Sequence, residues 1–438
     1  MDSSNRLMQA FKYFVDRIAE LREDGEDTFH VTPGDLYMSV INNVRLICLK
    51  VQNGENAQKI FETINCTGIR LTTGEMLKNY LFDETKIDEY ERSWKVVFEN
   101  MNRRYWDSNM LSGRTSESHI ENFFYRYMLI KMQDPAIRSA LSQGEMKIYR
   151  QKGGQFEKFR NLMMRFGISK DEAIQDIVSY AKIYLDIFRM DTLDDVAVQY
   201  RGIERLTYLM FLQGAWTMTP YILYLLKNAD SNECRRIFAY MESYLVRRII
   251  CKSKNNNYSD LFSENLIGQK VCTFDAFKAY VNDEKSRGAL LMPSDEEVVE
   301  AVKTKDLKLD AHTILYLMES RMNDGFVNAN CDNSANAFVK EQVMPEMDNG
   351  NWPSADGYDD EQRQILTRTL GNFTILRGKV KSKYKNGPWK EKRDIMGPLS
   401  TGLELGGAFR NGLASWDEKT IEMRNDWLAD KVLKIWPK

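Results

Sequence analysis

The residue types that could do chemistry are concentrated between positions 338 and 393. Three pieces follow one another there: residues 339–346, residues 370–376, and a basic run over residues 377–393. Their composition predicts a short strand, a long polar loop, a second strand and then a helix. The stretch therefore predicts a small ββα frame.

Carboxylates and amides stand at the positions where this frame would react. Glu341, Glu346 and Asp348 are the carboxylates, and oxygen ligands of this kind suit Mg²⁺ or a similar ion. We therefore take Glu341 and Asp348 as candidate metal ligands, with a surface strand end as the alternative for Glu341. Gln342 follows directly, but an amide has no useful basicity near neutral pH and cannot take a proton from water. Asn372 is either a site residue or a residue that holds the frame.

The basic run is the best candidate for contact with nucleic acid. Glu391 is its only acidic residue, against eight cations: Arg377, Lys379, Lys381, Lys383, Lys385, Lys390, Lys392 and Arg393. Such a local excess suits the phosphate backbone, whose binding is electrostatic and salt-dependent. The alternative is a solvated helix face. The whole chain gives no such argument, because its formal net charge is only −2.

Composition excludes several other classes of protein. The 438 residues are enough for roughly two or three domains. No stretch reaches the ~20 apolar residues of a membrane span, and the N-terminus lacks the apolar core of a signal peptide. The six cysteines form no Cys-x-x-Cys pair, and the three histidines lie far apart. We therefore expect a cytoplasmic protein with reduced thiols and no membrane or zinc site.

Apolar periodicity predicts a mainly α fold. Residues 87–302 are expected to be mostly helical, and 303–308 to be a charged linker. Helical spacing is clear over residues 5–22, 88–106, 116–132, 170–190, 195–212, 232–251, 310–322 and 416–436. Residues 44–51 are predicted as a strand and 55–64 as a helix. A further helix is expected to begin after Thr72 or Thr73 as its N-cap.

The motifs between 341 and 393 resemble, in order, those of the C-terminal HNH domain of GmrSD-type modification-dependent restriction endonucleases. The similar segments are Glu341-Gln342-Val343-Met344-Pro345 followed by Trp352, Leu370-Gly371-Asn372-Phe373-Thr374-Ile375-Leu376, and Trp389-Lys390-Glu391-Lys392-Arg393. The resemblance implies metal-dependent phosphodiester hydrolysis with a His as general base. Here Gln342 replaces that His, and Lys381 replaces the Asn near the helix. With these two replacements, the resemblance implies a degenerate site at Glu341, Gln342 and Asn372.

Residues 55–72 resemble the late part of the ParB-like N-terminal domain of the same family, and residues 244–251 resemble its helical middle region. The upstream Asp-Gly-Gln-Gln-Arg-type motif linked to nucleotide hydrolysis is absent from this sequence. We therefore expect no nucleotide cofactor. We also expect a chain that starts midway through that domain, either as a truncated chain or as a separately encoded part.

These observations lead to one prediction with two alternatives. The predicted domains are a partial ParB-like domain over 1–105, a helical middle domain over 106–305, and an HNH-like domain over 306–438. The predicted function is engagement of double-stranded DNA, modified DNA being one option, in a bacterial restriction or anti-phage defence system. A separate ParB-like subunit is a candidate partner. The alternatives are an active endonuclease that uses Glu341 or Asp348 as base, and a helical protein-interaction module.

Overall fold

Helices form most of the chain, which confirms the predicted mainly α fold. The computed structural model describes residues 6–23, 32–45, 71–109, 117–188, 203–213, 216–254, 257–283, 290–323, 338–347, 350–410 and 412–438. Contacts divide the chain into two units, Met1–Ile69 and Arg70–Lys438. The predicted boundaries at 105/106 and 305/306 stay predictions. None of the described helices is long and apolar enough to cross a membrane.

The first unit contains two described helices, α1 (Arg6–Glu23) and α2 (Pro33–Asn43). Thr32 caps α2 and forms a reciprocal capping box with Asp35, which satisfies backbone groups that a helix start leaves open. The predicted strand over 44–51 lies outside the described residues except for its first two positions, which form no regular structure. The predicted helix over 55–64 also lies outside them.

The second unit begins with α3 (Thr73–Leu81). Its N-cap is Thr72, one of the two candidates predicted from the sequence. The prediction of a single helical segment over 88–106 is wrong. Three short helices replace it: α4 (Ile87–Arg92), α5 (Trp94–Phe98) and α6 (Arg103–Asp107). Asn100 has φ +49°, a left-handed conformation that a continuous α-helix does not admit.

The middle region has a helix in each of the four segments predicted there, 116–132, 170–190, 195–212 and 232–251. The predicted residues 189–190 and 195–202 lie outside the described residues. The long α14 spans the clearest predicted segment, and its inner face is buried in the main core. The bounds are α7 (His119–Lys131), α8 (Pro135–Ala140), α9 (Gln143–Arg150), α10 (Gln155–Phe166), α11 (Lys170–Phe188), α12 (Ile203–Gln213), α13 (Thr219–Asn228), α14 (Ser231–Ile250) and α15 (Phe274–Val281). Between α14 and α15 a short π-helix, Leu261–Asn265, is flanked by the helical turns Tyr258–Asp260 and Leu266–Gly268.

The C-terminal region contains the two described strands together with six helices. Their order is α16 (Asp295–Thr304), α17 (Ala311–Met322), β1 (Val339–Gln342), α18 (Asp360–Arg368), β2 (Phe373–Leu376), α19 (Trp389–Leu399), α20 (Gly407–Arg410) and α21 (Glu418–Ile435). Helix α18 was expected to be part of the polar loop. Its start carries a sequence signal, the capping box of Asp359 with Gln362. The predicted linker 303–308 begins in the last turn of α16 and buries Leu307.

Two hydrophobic cores meet at the small sheet. Strands β1 and β2 pair antiparallel, with Glu341 opposite Thr374 and Gln342 opposite Phe373. Because side chains alternate along a strand, the two faces of β2 separate. Phe373 joins the large core that the helices share, whereas Leu376 joins a second core that includes residues of α19 and the segment after β1. The sheet is therefore covered on both faces, which buries the side chains of Glu341 and Thr374, whereas Lys340 and Gln342 stay partly exposed.

Candidate functional site

The ββα frame predicted from the sequence is present. The short antiparallel ladder of β1 and β2 is followed by α19, whose residues Trp389, Lys392 and Met396 are buried. These three positions recur at the spacing of one helix face. A 3₁₀ turn, Leu370–Asn372, leads into β2, so the strand is shorter than the predicted segment 370–376. The frame brings Glu341, Gln342 and Asn372 to one end of the sheet.

Asn372 lies in the interior and uses its whole carboxamide on protein groups. Its Oδ1 accepts from the N–H of Met344 at 2.8 Å and from Nε1 of Trp416 at 3.2 Å. Its Nδ2 donates to the carbonyls of Met344 and Thr367, both at 2.8 Å. A carboxamide offers two donors and two acceptor sites, so this set is complete. The arrangement is that of a residue which holds the frame and has no group left for a metal or substrate.

Gln342 stands beside Asn372 and is also bonded to the backbone. Its Nε2 donates to the carbonyl of Thr367 at 2.9 Å, the same oxygen that receives a bond from Asn372. The side chain therefore ties the end of β1 to the last turn of α18. An amide in this role cannot abstract a proton from water.

Glu341 is only 6% exposed and forms an ion pair inside the protein. Its Oε1 lies 2.9 Å from Nζ of Lys392, which is itself 1% exposed. Burial lowers the pKa of the Lys392 ammonium, and the Glu341 carboxylate acts against that shift. The hydroxyl of Thr374, opposite Glu341 in the ladder, is buried without a hydrogen-bond partner among the described residues.

The other two carboxylates do not complete a metal site. Glu346 pairs with Lys308 at 2.5 Å and with Arg368 at 3.1 Å, and the hydrogen bond from Lys308 is the main reason that its pKa is lowered. Asp348 lies outside the described residues. The described part of the chain contains no group of three or more His, Cys, Asp or Glu side chains that could hold an ion. The described residues therefore do not fit the divalent metal that the family resemblance implies.

The basic run divides into exposed and internal cations. Five lysines are exposed, and we call them the exposed lysine segment: Lys379, Lys381, Lys383, Lys385 and Lys390. Arg377 lies over the ring of Phe338 at 5.2 Å, and Arg393 pairs with Asp394 at 2.9 Å. The prediction that Lys392 contacts DNA is wrong for this structure, because its ammonium is buried beside Glu341.

The sequence analysis missed two residues that support this site: Arg424 in α21 and Trp416, which lies just before α21. Arg424 donates to the carbonyls of Gly371 and Phe373 at 2.7 and 2.6 Å, and burial lowers its pKa to about 10. Trp416 reaches Asn372, as described above. These residues lie more than 40 positions from their partners, and no local pattern marks them.

The fold and the site define a mainly α protein with a ββα unit in which Glu341, Gln342 and Asn372 are bonded to other protein groups. Residues 292–431 match the family model of GmrSD restriction endonucleases, C-terminal domain. This match confirms the predicted GmrSD-type assignment through the C-terminal region, from just before α16 into α21. No curated protein matches the chain.

Proposed function

We propose that this chain engages double-stranded DNA in a bacterial restriction or anti-phage defence system, and that its ββα unit does not carry out HNH hydrolysis. The observation that carries the proposal is the position of the exposed lysine segment beside a frame in which Glu341, Gln342 and Asn372 are bonded to other protein groups. The match of residues 292–431 to a restriction endonuclease domain supports DNA as the ligand.

Charge supports contact with the phosphate backbone. The five lysines fall within twelve positions, and Glu391, one residue beyond the last of them, is the nearest carboxylate in sequence. Exposed ammonium groups can replace the counterions that surround DNA, which gives sequence-independent and salt-dependent affinity. The third hypothesis, an interaction module without nucleic acid, accounts neither for this segment nor for the family match.

The chemistry of the frame argues against hydrolysis by the usual route. Gln342 cannot serve as general base, and the carboxylate of Glu341 is held by Lys392. The second hypothesis, an active endonuclease, would need Glu341 to leave its ion pair or Asp348 to act in its place. Nothing described in the structure favours either change.

The finer expectations from the resemblance belong to the same proposal. They are modified DNA as the target and a separate ParB-like subunit as a partner. Both are supported by the motifs over 55–72 and 341–393. A comparison of unmodified duplexes with duplexes that carry modified bases tests the first, and co-purification with a ParB-like protein encoded beside this chain tests the second.

The direct test is duplex binding by the full chain across a salt series. The variant Lys381→Ala/Lys383→Ala/Lys385→Ala should bind more weakly, with a salt slope lower by about three, because each lost phosphate contact removes about one unit. The matched control is Lys147→Ala/Lys182→Ala/Lys305→Ala, which removes the same charge from three other exposed lysines. No affinity at low salt, or equal losses in both variants, would contradict the proposal.

Plasmid nicking separates engagement from hydrolysis. We expect the wild-type protein to leave supercoiled plasmid intact with Mg²⁺ or Mn²⁺ while it binds the same DNA. Nicking that disappears in Glu341→Ala would show that the unit is an active nuclease with an altered site, and would overturn the non-hydrolytic part of the proposal.

A further inference from the structure

The ammonium of Lys392 is enclosed by three oxygen atoms. Its Nζ lies 2.9 Å from Oε1 of Glu341, 2.6 Å from the carbonyl of Gln342 and 2.8 Å from the carbonyl of Lys385. An ammonium has three hydrogens and no acceptor, so these three oxygens satisfy it completely. The side chain is 1% exposed and no water is needed to complete the set.

This oxygen cluster has the composition of a site for a hard cation. A carboxylate and backbone carbonyls are the ligand types that Mg²⁺, Mn²⁺ and Ca²⁺ take from proteins. The cluster stands at the end of β1, next to Gln342. The distances of 2.6–2.9 Å are those of N–H···O hydrogen bonds rather than of metal–oxygen bonds. A cation is thus already in place, and it is carried by the protein itself.

We propose that Lys392 supplies a built-in cation, which fills this oxygen cluster and keeps a divalent metal ion out of the ββα unit. A divalent ion near Glu341 would be repelled by the ammonium and would find its main carboxylate ligand taken. The same contacts join α19 to β1 and to Lys385 of the exposed lysine segment. Lys392 therefore also positions the backbone of that segment.

The inference rests on the proposed function only for its consequence, which is DNA binding that needs no metal. Metal exclusion itself is a property of the unbound chain. The chain can therefore bind DNA although metal exclusion is disproved, and it can exclude metal although DNA binding is disproved. The two proposals are thus tested separately.

The experiment is a Mn²⁺ titration of the full chain, followed by electron paramagnetic resonance of free and bound Mn²⁺. Wild type should show no site that depends on Glu341. Lys392→Ala should gain one Mn²⁺ per chain with at least tenfold higher affinity than wild type, because the carboxylate and both carbonyls are then free. Lys392→Met separates charge from volume: it removes the ammonium and leaves the Glu341 carboxylate unpaired, so it should gain a Mn²⁺ site weaker than that of Lys392→Ala. No site at all in Lys392→Met would mean that Lys392 excludes the ion by its volume and would overturn the built-in cation. Lys392→Ala/Glu341→Gln should lose the gained site.

Two further results would overturn the proposal: a wild-type Mn²⁺ site that Glu341→Gln abolishes, or a folded Lys392→Ala variant without a new site. Should Lys392→Ala be unfolded without metal, circular dichroism at rising Mn²⁺ decides, because an ion that binds only the native state stabilises it. Recovery of the fold supports the built-in cation, and an unfolded chain at millimolar Mn²⁺ overturns it. For the consequence, EDTA should leave wild-type affinity for duplex DNA within twofold.

Discussion

Asn372 is hydrogen-bonded through its side chain to both backbone groups of Met344, with an N–H···O distance of 2.8 Å in each direction. The carboxamide thereby acts as one more residue of the β ladder and continues the pairing beyond Gln342. The backbone of Asn372 adds a bond from the N–H of Val343 at 2.8 Å. The Gly-Asn pair of the family-like motif is thus explained by architecture in this chain.

Replacement of Asn372 should therefore cost stability. Asn372→Ala leaves the N–H and carbonyl of Met344 and the Nε1 of Trp416 buried with fewer partners, each at a cost of about 1–3 kcal/mol. We expect a loss of at least about 3 kcal/mol in the free energy of unfolding, measured by urea denaturation. Asn232→Ala, at an exposed position in the first turn of α14, is the control and should change little. Equal stability of Asn372→Ala and wild type would show that the bonds do not hold the frame.

Gly371 precedes Asn372 and touches α21 too closely for a side chain. A Cβ there would lie 2.6 Å from the carbonyl of Ile421 and 2.6 Å from Oδ1 of Asn425. Gly371→Ala should destabilise by about 1–3 kcal/mol, because the backbone of α21 must move. Gly144→Ala is the matched control, since nothing lies within 4 Å of its Cβ and it is helical; it should be neutral or stabilising by up to about 1 kcal/mol. Thermal unfolding compares the two, and similar effects would contradict the packing argument.

The sequence predicted the frame of this site better than the roles of its residues. The order strand, polar loop, strand and helix follows from local patterns, although the loop also contains α18, and the lack of a general base at Gln342 follows from the chemistry of its amide. The inward direction of Lys392 also had a local signal, because Trp389, Lys392 and Met396 fall on one face of α19. That signal was hidden by the basic run, in which neighbouring lysines are exposed.

The contacts that give each polar residue its role could not be read from the sequence. Glu341 and Lys392 are 51 positions apart, and Trp416 lies 44 positions from Asn372. Such pairs depend on how α19 and α21 pack against the sheet, and a single sequence carries no pattern for that packing. The broken helix around Asn100 was missed for a different reason: apolar spacing continues across short helices that change direction.

Restoring the family residues should not by itself restore a metal site. In Gln342→His/Lys381→Asn the imidazole and the amide return, but the ammonium of Lys392 still occupies the carboxylate of Glu341. We expect no Mn²⁺ site in this double variant and one site in Gln342→His/Lys381→Asn/Lys392→Ala. Electron paramagnetic resonance measures the sites, and plasmid nicking reports whether the triple variant hydrolyses DNA. Tight Mn²⁺ binding by the double variant would show that Lys392 does not control access to the site.

The ionisation of Glu346 should contribute to how the free energy of unfolding changes at acidic pH. This carboxylate joins the segment after β1 to Lys308 and Arg368, and its pKa is lowered chiefly by the hydrogen bond from Lys308. A carboxyl group whose pKa is lower in the folded state stabilises the protein above its unfolded pKa, near 4.5, and loses that contribution as the pH falls through the folded pKa. Between these two values the unfolded chain binds more protons, so the free energy of unfolding rises with pH.

Glu346→Gln should remove this part of the pH dependence. We expect the variant to be less stable than wild type by roughly 0.5 kcal/mol at pH 6, since the pair is partly exposed, and the difference should shrink as the pH falls below about 4.5. Urea unfolding at pH 3 to 6 measures it. Glu300→Gln, which removes an exposed carboxylate from α16, is the control and should show no such convergence. A constant difference between Glu346→Gln and wild type across this range would mean that the contribution of Glu346 is one of packing, because an ion pair must weaken when its carboxylate is protonated.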